Sequence, residues 1–227
     1  LTFSIAYCSL PAGALTFKVA SYNVENLFDM HKSGSEYTGY IPNTGYGWTE
    51  ETVQKKYRNI AEVIKDIDAS VIGLQEVESR RALQRLQQHL KADGCAYPHG
   101  RIADASPTTV RCALLSKFAI TDARSIRVGE PLRDILRVTV NAEGNPLTVF
   151  VNHWKSKRGA ESLRLRSAKA LQENLKTLPA SADVIVLGDF NSSYNEYMTI
   201  RDNPRLNDTN GITGINHALK TVHHGKL

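Results

Sequence analysis

The sequence predicts a mixed α/β sandwich folded as one domain. Two strand–helix units open the pattern, and a β-hairpin follows further along the chain. The 227 residues are 41% hydrophobic and 22% charged, which is an ordinary globular composition rather than a disordered one. The chain shows no internal repeat, no linker and no apolar run near the roughly 20 residues that cross a bilayer. We therefore expect one domain without a membrane span.

The first half of the chain alternates strands and helices. A short apolar strand over residues 18–23 leads into a Gly-, Ser-, Asn- and Tyr-rich loop over residues 29–47. Thr49 is suited to cap the next helix, with Trp48 packing onto Val53. Apolar residues then recur at helical spacing at Val53, Tyr57, Ile60, Ile64 and Ile67.

The next strand covers residues 70–75, and Ser79 caps a second helix with Leu83, Leu86 and Leu90 on one face. The remaining predicted strands cover residues 110–116, 135–140, 147–152 and 183–188. A turn over residues 142–145 joins two of them into the hairpin, and a third helix over residues 162–178 ends before Pro179.

The N-terminal segment indicates export. Residues 1–14 carry no charge and close on Ala-Gly-Ala, which is typical of the end of a signal peptide, although a plain N-terminal strand would have the same composition. We expect a signal-peptide remnant over residues 1–14 and one domain over residues 15–227. Cys95 and Cys112 can form a disulfide in an oxidising compartment if the fold brings them together.

Polar residues stand unusually often at strand ends, where ligand sites gather in α/β sheets. They are Asn23, Glu25 and Asn26; Gln75 and Glu76; Arg133 and Asp134; Asn152 and His153; Asp189 and Asn191. Each alone fits a solvated loop residue or a turn former. Together they are the components of a hard-cation site, because Mg²⁺ prefers oxygen ligands and needs only one or two protein carboxylates. Glu76 is the first candidate ligand, with Asn23 and Asp189 as nearby candidates.

Five ordered segments resemble the motifs of the endonuclease/exonuclease/phosphatase superfamily, the deoxyribonuclease-I-like fold, and in particular its secreted bacterial nucleases. The segments lie between residues 18 and 191 and are Tyr22–Phe28, Gln75–Val77, Ala113–Lys117, Asn152–Lys157 and Gly188–Asn191. The resemblance implies a four-layered α/β/β/α sandwich. It also implies phosphodiester hydrolysis that depends on Mg²⁺, or on Mn²⁺ or Ca²⁺, and a periplasmic or secreted location.

The same resemblance assigns roles to individual residues. Glu76 would hold the metal, with Asn23 in the same site. Asp189 and Asn191 would position the nucleophile and the scissile phosphate. His153 matches a catalytic histidine, which with an ordinary pKa can exchange a proton near neutral pH. More loosely, Arg133 matches a phosphate-contacting arginine.

One expected motif is missing from the sequence. Family members carry a Ser-Asp-His-like motif on a late strand, and none follows Asn191. His217, His223 and His224 lie in a polar segment without a preceding Asp, so we expect them at the surface. We therefore expect a C-terminally truncated domain that lacks its last strands and part of its activity.

The net charge of +5 lies in one segment, residues 153–169, which holds six Lys or Arg and one Glu. Next to the histidine motif, Lys155, Lys157 and Arg158 are expected to contact substrate phosphates. Further along, Arg164, Arg166 and Lys169 fit a solvated helix face. Three loop tyrosines either stack on bases or serve a structural role: Tyr37, Tyr40 and Tyr46.

These features predict a monomeric, metal-dependent phosphodiesterase that hydrolyses nucleic acid. Because no base-reading motif is present, we expect a sequence-tolerant endonuclease acting on DNA, with the preference between DNA and RNA left open. Two alternatives remain. One is a phosphatase or sphingomyelinase on the same fold, and the other is an inactive nucleic-acid-binding module.

Overall fold

Two β-sheets lie face to face in a computed structural model that describes strand Ile5–Ala6 and residues 16–221. The strands are β1 (Ile5–Ala6), β2 (Val19–Leu27), β3 (Val71–Val77), β4 (His99–Ile102), β5 (Arg111–Ser116), β6 (Ala119–Ile126), β7 (Ile135–Ala142), β8 (Asn145–His153) and β9 (Asp183–Asp189). The first sheet has the order β1-β2-β3-β5-β4, and the second has the order β6-β7-β8-β9. Within them, β2 runs parallel to β3, and β8 runs parallel to β9.

Helices cover the outer faces of both sheets. They are α1 (Glu50–Ile67), α2 (Arg80–Ala92), α3 (Glu161–Leu175) and α4 (Glu196–Thr199), with a 3₁₀ turn over Thr38–Tyr40 and a π-helical turn over Gly214–Ala218. The predicted caps are confirmed. The Thr49 side chain accepts a hydrogen bond from the Thr52 amide at the start of α1, and Ser79 accepts one from the Ala82 amide at the start of α2.

Three separate hydrophobic clusters show the layering. The first contains Ile64 of α1, Leu86 of α2 and Leu74 of β3. The second lies between the sheets, where Val71 meets Val151. The third packs β8 against α3 and the π-helical turn, with the residues Ile135, Phe150, Trp154, Ala168 and Leu171 fully or almost fully buried. This arrangement confirms the predicted four-layered α/β/β/α sandwich.

Several predicted boundaries were wrong. Strands β4 and β6 were not predicted, and β2 continues past Asn23 to Leu27 because a bulge lets pairing with β3 resume. Helix α3 ends at Leu175, three residues before the predicted end, and residues 176–178 close it with turn hydrogen bonds.

The question of a disulfide between Cys95 and Cys112, which the sequence left open, is answered by the fold: both cysteines are free. Cys95 packs against the helix-side cluster, whereas Cys112 is buried in the cluster between the sheets. The first sheet therefore separates the two thiols.

Apart from strand β1, the signal-peptide remnant predicted for residues 1–14 lies outside the described residues, as do His223 and His224. The remnant and the export of the chain stay predictions. None of the described helices combines the length and apolar character needed to cross a membrane.

Candidate active site

The candidate site lies where two pairs of parallel strands end. Asn23 pairs in register with Gln75 on β2 and β3, and His153 pairs with Asp189 on β8 and β9. Parallel neighbours present their carboxyl ends at the same edge of a sheet. The stacking of the two sheets then brings the two edges together, so that polar residues from four strands meet.

A bulge in β3 turns Glu76 into this site. Leu74 and Val77 both face the helix-side cluster, although three residues of regular strand would place them on opposite faces. The extra residue is Glu76, whose φ of 68° lies in the left-handed region. The pairing register shifts at the same point. Bulges of this kind re-aim side chains beside active sites, and here the bulge directs a carboxylate toward Asn23.

Gly188 allows β9 to approach β8 just before Asp189. Its φ is +135°, and a Cβ atom on it would lie 2.0 Å from the carbonyl oxygen of Asn152. Only glycine fits this position without moving the backbone. The Gly-Asp pair of the sequence motif thus has a physical basis, because the glycine permits the strand contact that places the aspartate.

Asn23 joins the acidic residues of the two sheets. Its Nδ2 donates to Glu76 Oε1 at 3.3 Å and to Asp189 Oδ2 at 3.2 Å, while its Oδ1 accepts from the Glu25 amide at 3.0 Å. The same two carboxylate atoms each lie 3.8 Å from Nε2 of His153. The structure therefore brings together four predicted site residues in one cluster.

His153 is buried, with only 6% of its surface exposed. Burial holds its pKa well below the ordinary value for histidine, and the nearby positive charge of Arg133 adds to this effect, while Asp189 opposes it. The ordinary pKa expected from the sequence is therefore wrong for this chain in the absence of ligands. The imidazole is neutral at physiological pH.

Asn191 fixes the position of Asp189. Its backbone amide donates to Asp189 Oδ1 at 2.9 Å, and its side-chain Nδ2 donates to the carbonyl oxygen of Trp154 at 3.1 Å. Asn152, which is fully buried, has a purely structural role: it donates to two backbone carbonyls and accepts from the Trp154 indole.

The donor set fits a hard divalent cation. Glu76 and Asp189 both approach Asn23 and His153, and within residues 16–221 neither carboxylate has a Lys or Arg ion-pair partner. The two carboxylates match the oxygen ligands that Mg²⁺ takes together with water. Asn23, predicted as a metal ligand, turns its Nδ2 toward both carboxylates and its Oδ1 toward the Glu25 amide, so its oxygen does not face the site. Among the same residues, no group of three or more His, Cys, Asp or Glu side chains is arranged to hold a metal. A cation here would therefore take most of its remaining ligands from water.

The predicted phosphate-binding residues divide between two cavities. Arg133 and Lys155 line a cavity of about 520 Å³, whereas Lys157 lines a larger one of about 970 Å³ together with Asn23 and Asp189. Lys157 also pairs with the buried carboxylate of Glu196 at 3.0 Å. Arg158 is exposed.

Arg164 does not lie on a solvated helix face as predicted. It is fully buried, its Nε pairs with Glu161 at 2.7 Å, and its Nη1 donates to the carbonyls of Lys155, Ser156 and Gly159. A single helical turn places Arg164 beside Glu161, and the loop before α3 folds over the guanidinium. The solvated face predicted for Arg166 and Lys169 is confirmed, since both are exposed.

Sequence reasoning missed Lys56 on α1. Its ammonium group donates to the carbonyl oxygen of Glu25 at 2.9 Å. Burial lowers its pKa, while the charges of Glu25 and Glu76 act in the opposite direction. A lone lysine on an amphipathic helix carries no signal for this placement, which depends on how α1 packs across β2.

The three loop tyrosines and His217 lie in different environments. Tyr40 is structural, because its ring stacks on Phe28 with centroids 4.5 Å apart and contacts Trp48. Tyr37 lines the smaller cavity and Tyr46 is exposed. His217 lies at the surface, as predicted, with its Nδ1 beside the Thr213 backbone amide.

A sequence model described as "Endonuclease/Exonuclease/phosphatase family" matches residues 18–214. Human tyrosyl-DNA phosphodiesterase 2 is 37% identical over 60 residues, which are 26% of this chain and 17% of that protein.

Solved structures share the fold. TDP2 from C. elegans superposes with a TM-score of 0.56 at 16% identity, over 79% of this chain and 49% of that one. TDP2 from D. rerio superposes with a TM-score of 0.58 at 17% identity, over 80% of this chain and 63% of that one. ANGEL2, a 2′,3′-cyclic phosphatase, superposes with a TM-score of 0.55 at 19% identity, over 82% of this chain and 56% of that one. The chain thus spans about half to two thirds of these structures and a smaller part of the human protein. Since the family match covers most of its length, this chain belongs to the endonuclease/exonuclease/phosphatase family.

Proposed function

We propose that this chain is a divalent-metal-dependent phosphodiesterase that hydrolyses nucleic acid as a sequence-tolerant endonuclease. One observation carries the proposal. Glu76, Asp189, Asn23 and His153 come from four strands and two sheets, yet contacts of 3.2 to 3.8 Å join them in one connected cluster. A structural role alone would not require two carboxylates to face a buried, neutral imidazole.

Glu76 and Asp189 would hold the cation, and Asn23 would add its Oδ1 once its amide turned over. When bound, a divalent ion neutralises the non-bridging oxygens of a phosphodiester and stabilises the leaving oxygen. Asp189 is held by the Asn191 amide, so its free oxygen has a fixed direction in which to orient an attacking water.

His153 starts the reaction as a neutral imidazole. A phosphodiester placed beside it adds negative charge, which raises the pKa of His153 toward its ordinary range. The imidazole then takes a proton from solvent at Nε2 and gives it to the leaving oxygen as the bond between that oxygen and phosphorus breaks, while the attacking water releases its own proton to solvent. Arg133 lies close enough for its charge to act on the same ring, and it provides a second positive group for the substrate.

The relatives support this chemistry. Tyrosyl-DNA phosphodiesterase 2 is named for a phosphodiesterase activity, the D. rerio structure holds a single-strand DNA product, and ANGEL2 is a cyclic phosphatase. All three act on phosphate esters, and the cluster in this chain contains the groups that such a reaction needs.

A plasmid-nicking assay tests the proposal. We expect Mg²⁺-dependent conversion of supercoiled to nicked DNA that EDTA abolishes. We expect His153→Ala to lower the rate by roughly 10²- to 10⁴-fold, because it removes a proton-transfer group. His99→Ala, on strand β4 of the first sheet, is the matched control and should keep the wild-type rate.

Three results would contradict the proposal. Nicking that persists in EDTA would exclude the metal-dependent mechanism. DNA binding without any cleavage would favour an inactive binding module. Release of phosphate from monoesters without nicking would favour the phosphatase alternative.

A further inference from the structure

The smaller cavity lies directly beside the catalytic cluster. It has a volume of about 520 Å³, within the roughly 300–1,000 Å³ range of ligand pockets. Three separate loops and the segment after β8 contribute to its lining, which includes Tyr37, Thr108, Thr109, Glu130, Arg133 and Lys155. Lys155 in the lining follows His153 by only two residues, so the cavity opens next to the end of β8 that carries the catalytic histidine.

The cavity combines an aromatic side chain with positive charge. Tyr37 is 41% exposed, and its ring leans against the buried ring of Phe28 with centroids 5.7 Å apart. This contact supports the tyrosine ring while leaving part of it open. Lys155 and Arg133 provide two positive charges against the one negative charge of Glu130. Such a lining suits a ligand with a flat ring and an attached anion.

The loops that form the cavity are tied to the rest of the protein. Ser106 donates to the buried carboxylate of Asp134, which links the loop containing Thr108 to the residue after Arg133. Arg164 donates to the Lys155 carbonyl. The loops that carry the lining residues are therefore held before any ligand arrives, which lowers the loop-ordering entropy that binding would cost.

We propose that this cavity binds the nucleotide that flanks the scissile phosphate in single-stranded nucleic acid. Tyr37 stacks on the unpaired base, and Lys155 neutralises the adjoining phosphate. This inference rests on the proposed function. It adds a preference for single-stranded over double-stranded nucleic acid, determined by Tyr37 and Lys155. In a duplex each base is already stacked and paired, so Tyr37 gains a base to stack on only when the strand is single.

Binding measured in EDTA tests the cavity without cleavage. The probe is a short fluorescein-labelled oligothymidine, followed by fluorescence anisotropy, and a labelled hairpin duplex is measured in parallel. We expect Tyr37→Ala to weaken single-strand binding roughly tenfold, since stacking on one base contributes about 1–3 kcal/mol. Tyr37→Phe should keep the wild-type affinity because it keeps the ring.

A salt titration tests Lys155. Removing one phosphate contact should lower the slope of log affinity against log salt concentration by about 0.7 for a single strand, so Lys155→Ala should show this change. The matched controls are Tyr46→Ala, in the same loop but outside the cavity lining, and Lys169→Ala, exposed on α3. Both controls should bind the probe like the wild type.

Three outcomes would overturn the inference. They are an unchanged single-strand affinity in Tyr37→Ala, an equal loss for the hairpin duplex, and an equal loss in Tyr46→Ala. The proposed function is judged separately by plasmid nicking in Mg²⁺. If the wild type nicks plasmid but Tyr37→Ala binds the single strand as tightly as the wild type, the cavity proposal fails and the phosphodiesterase proposal stands. If the affinity depends on Tyr37 but the wild type does not nick plasmid, the phosphodiesterase proposal fails and the cavity proposal stands.

Discussion

Glu78, two residues after the candidate metal ligand Glu76, lies in a different environment. It is almost fully buried, and its Oε2 accepts a hydrogen bond from the Asp29 amide at 2.9 Å. Burial is the main reason why the pKa of Glu78 is raised to about 7, and the negative charges of Asp29 and Glu36 contribute to the rise. The end of β3 therefore carries two acids with different roles. Glu76 points into the catalytic cluster, whereas Glu78, just after the strand, has a raised pKa and holds its proton more tightly.

This raised pKa predicts how stability depends on pH. The folded chain binds the Glu78 proton more tightly than the unfolded chain does. The stabilisation is therefore complete below the ordinary pKa of Glu and is lost as pH rises through about 7. We expect Glu78→Gln to remove this component, which contributes a slope of at most about 1.4 kcal/mol per pH unit. Urea unfolding in EDTA between pH 5 and pH 8 measures the difference between variant and wild type.

The exposed Glu173→Gln on α3 is the control for this prediction and should follow the wild-type curve. Parallel curves for Glu78→Gln and the wild type across the whole range would show that Glu78 titrates normally.

At the scale of elements, the first turn of α3 organises the loops around the site. The carboxylate of Glu161 pairs with Arg164 and accepts from the Gly214 amide at 2.8 Å, while Arg164 holds three carbonyls of the preceding loop. Both side chains are fully buried. This pair therefore connects the loop that follows His153 to the π-helical turn that packs on α3.

Removing one partner of this pair should be costly, because it leaves a buried charge without compensation. We expect Arg164→Met to lower the free energy of unfolding by about 3–5 kcal/mol. The exposed Lys169→Met on the same helix should change it by less than about 0.5 kcal/mol. Urea denaturation of both variants checks this. Equal midpoints would mean that Arg164 does not hold the loop.

At the scale of the whole molecule, the residue pattern predicted an α/β sandwich, the family resemblance predicted its four layers, and strand ends predicted which polar residues would lie close together. Asn23, Glu76, His153 and Asp189 were identified from their places at strand ends, and the structure brings them together. Strand ends could be predicted because each follows a clearly apolar run.

Features that depend on tertiary packing could not be predicted. Strand β4 is only four residues long, and β6 is mostly half-exposed and polar, so neither has a clear hydrophobic pattern. The burial of Arg164 results from a loop folding over a helix, and the sequence alone shows only a charged residue on that helix. The left-handed backbone of Glu76 depends on the register between strands, which no local pattern encodes.

Glu76 and Asp189, the two carboxylates of the cluster, are proposed to hold a divalent cation. Mn²⁺ binding, followed by electron paramagnetic resonance of the free ion, tests it most directly. We predict one saturable site in the wild type and a loss of affinity in Glu76→Gln at least as large as the roughly 10- to 100-fold effect of removing an outer-shell partner. Glu62→Gln, exposed on α1, should bind like the wild type. Equal Mn²⁺ affinity in Glu76→Gln and Glu62→Gln would contradict the account.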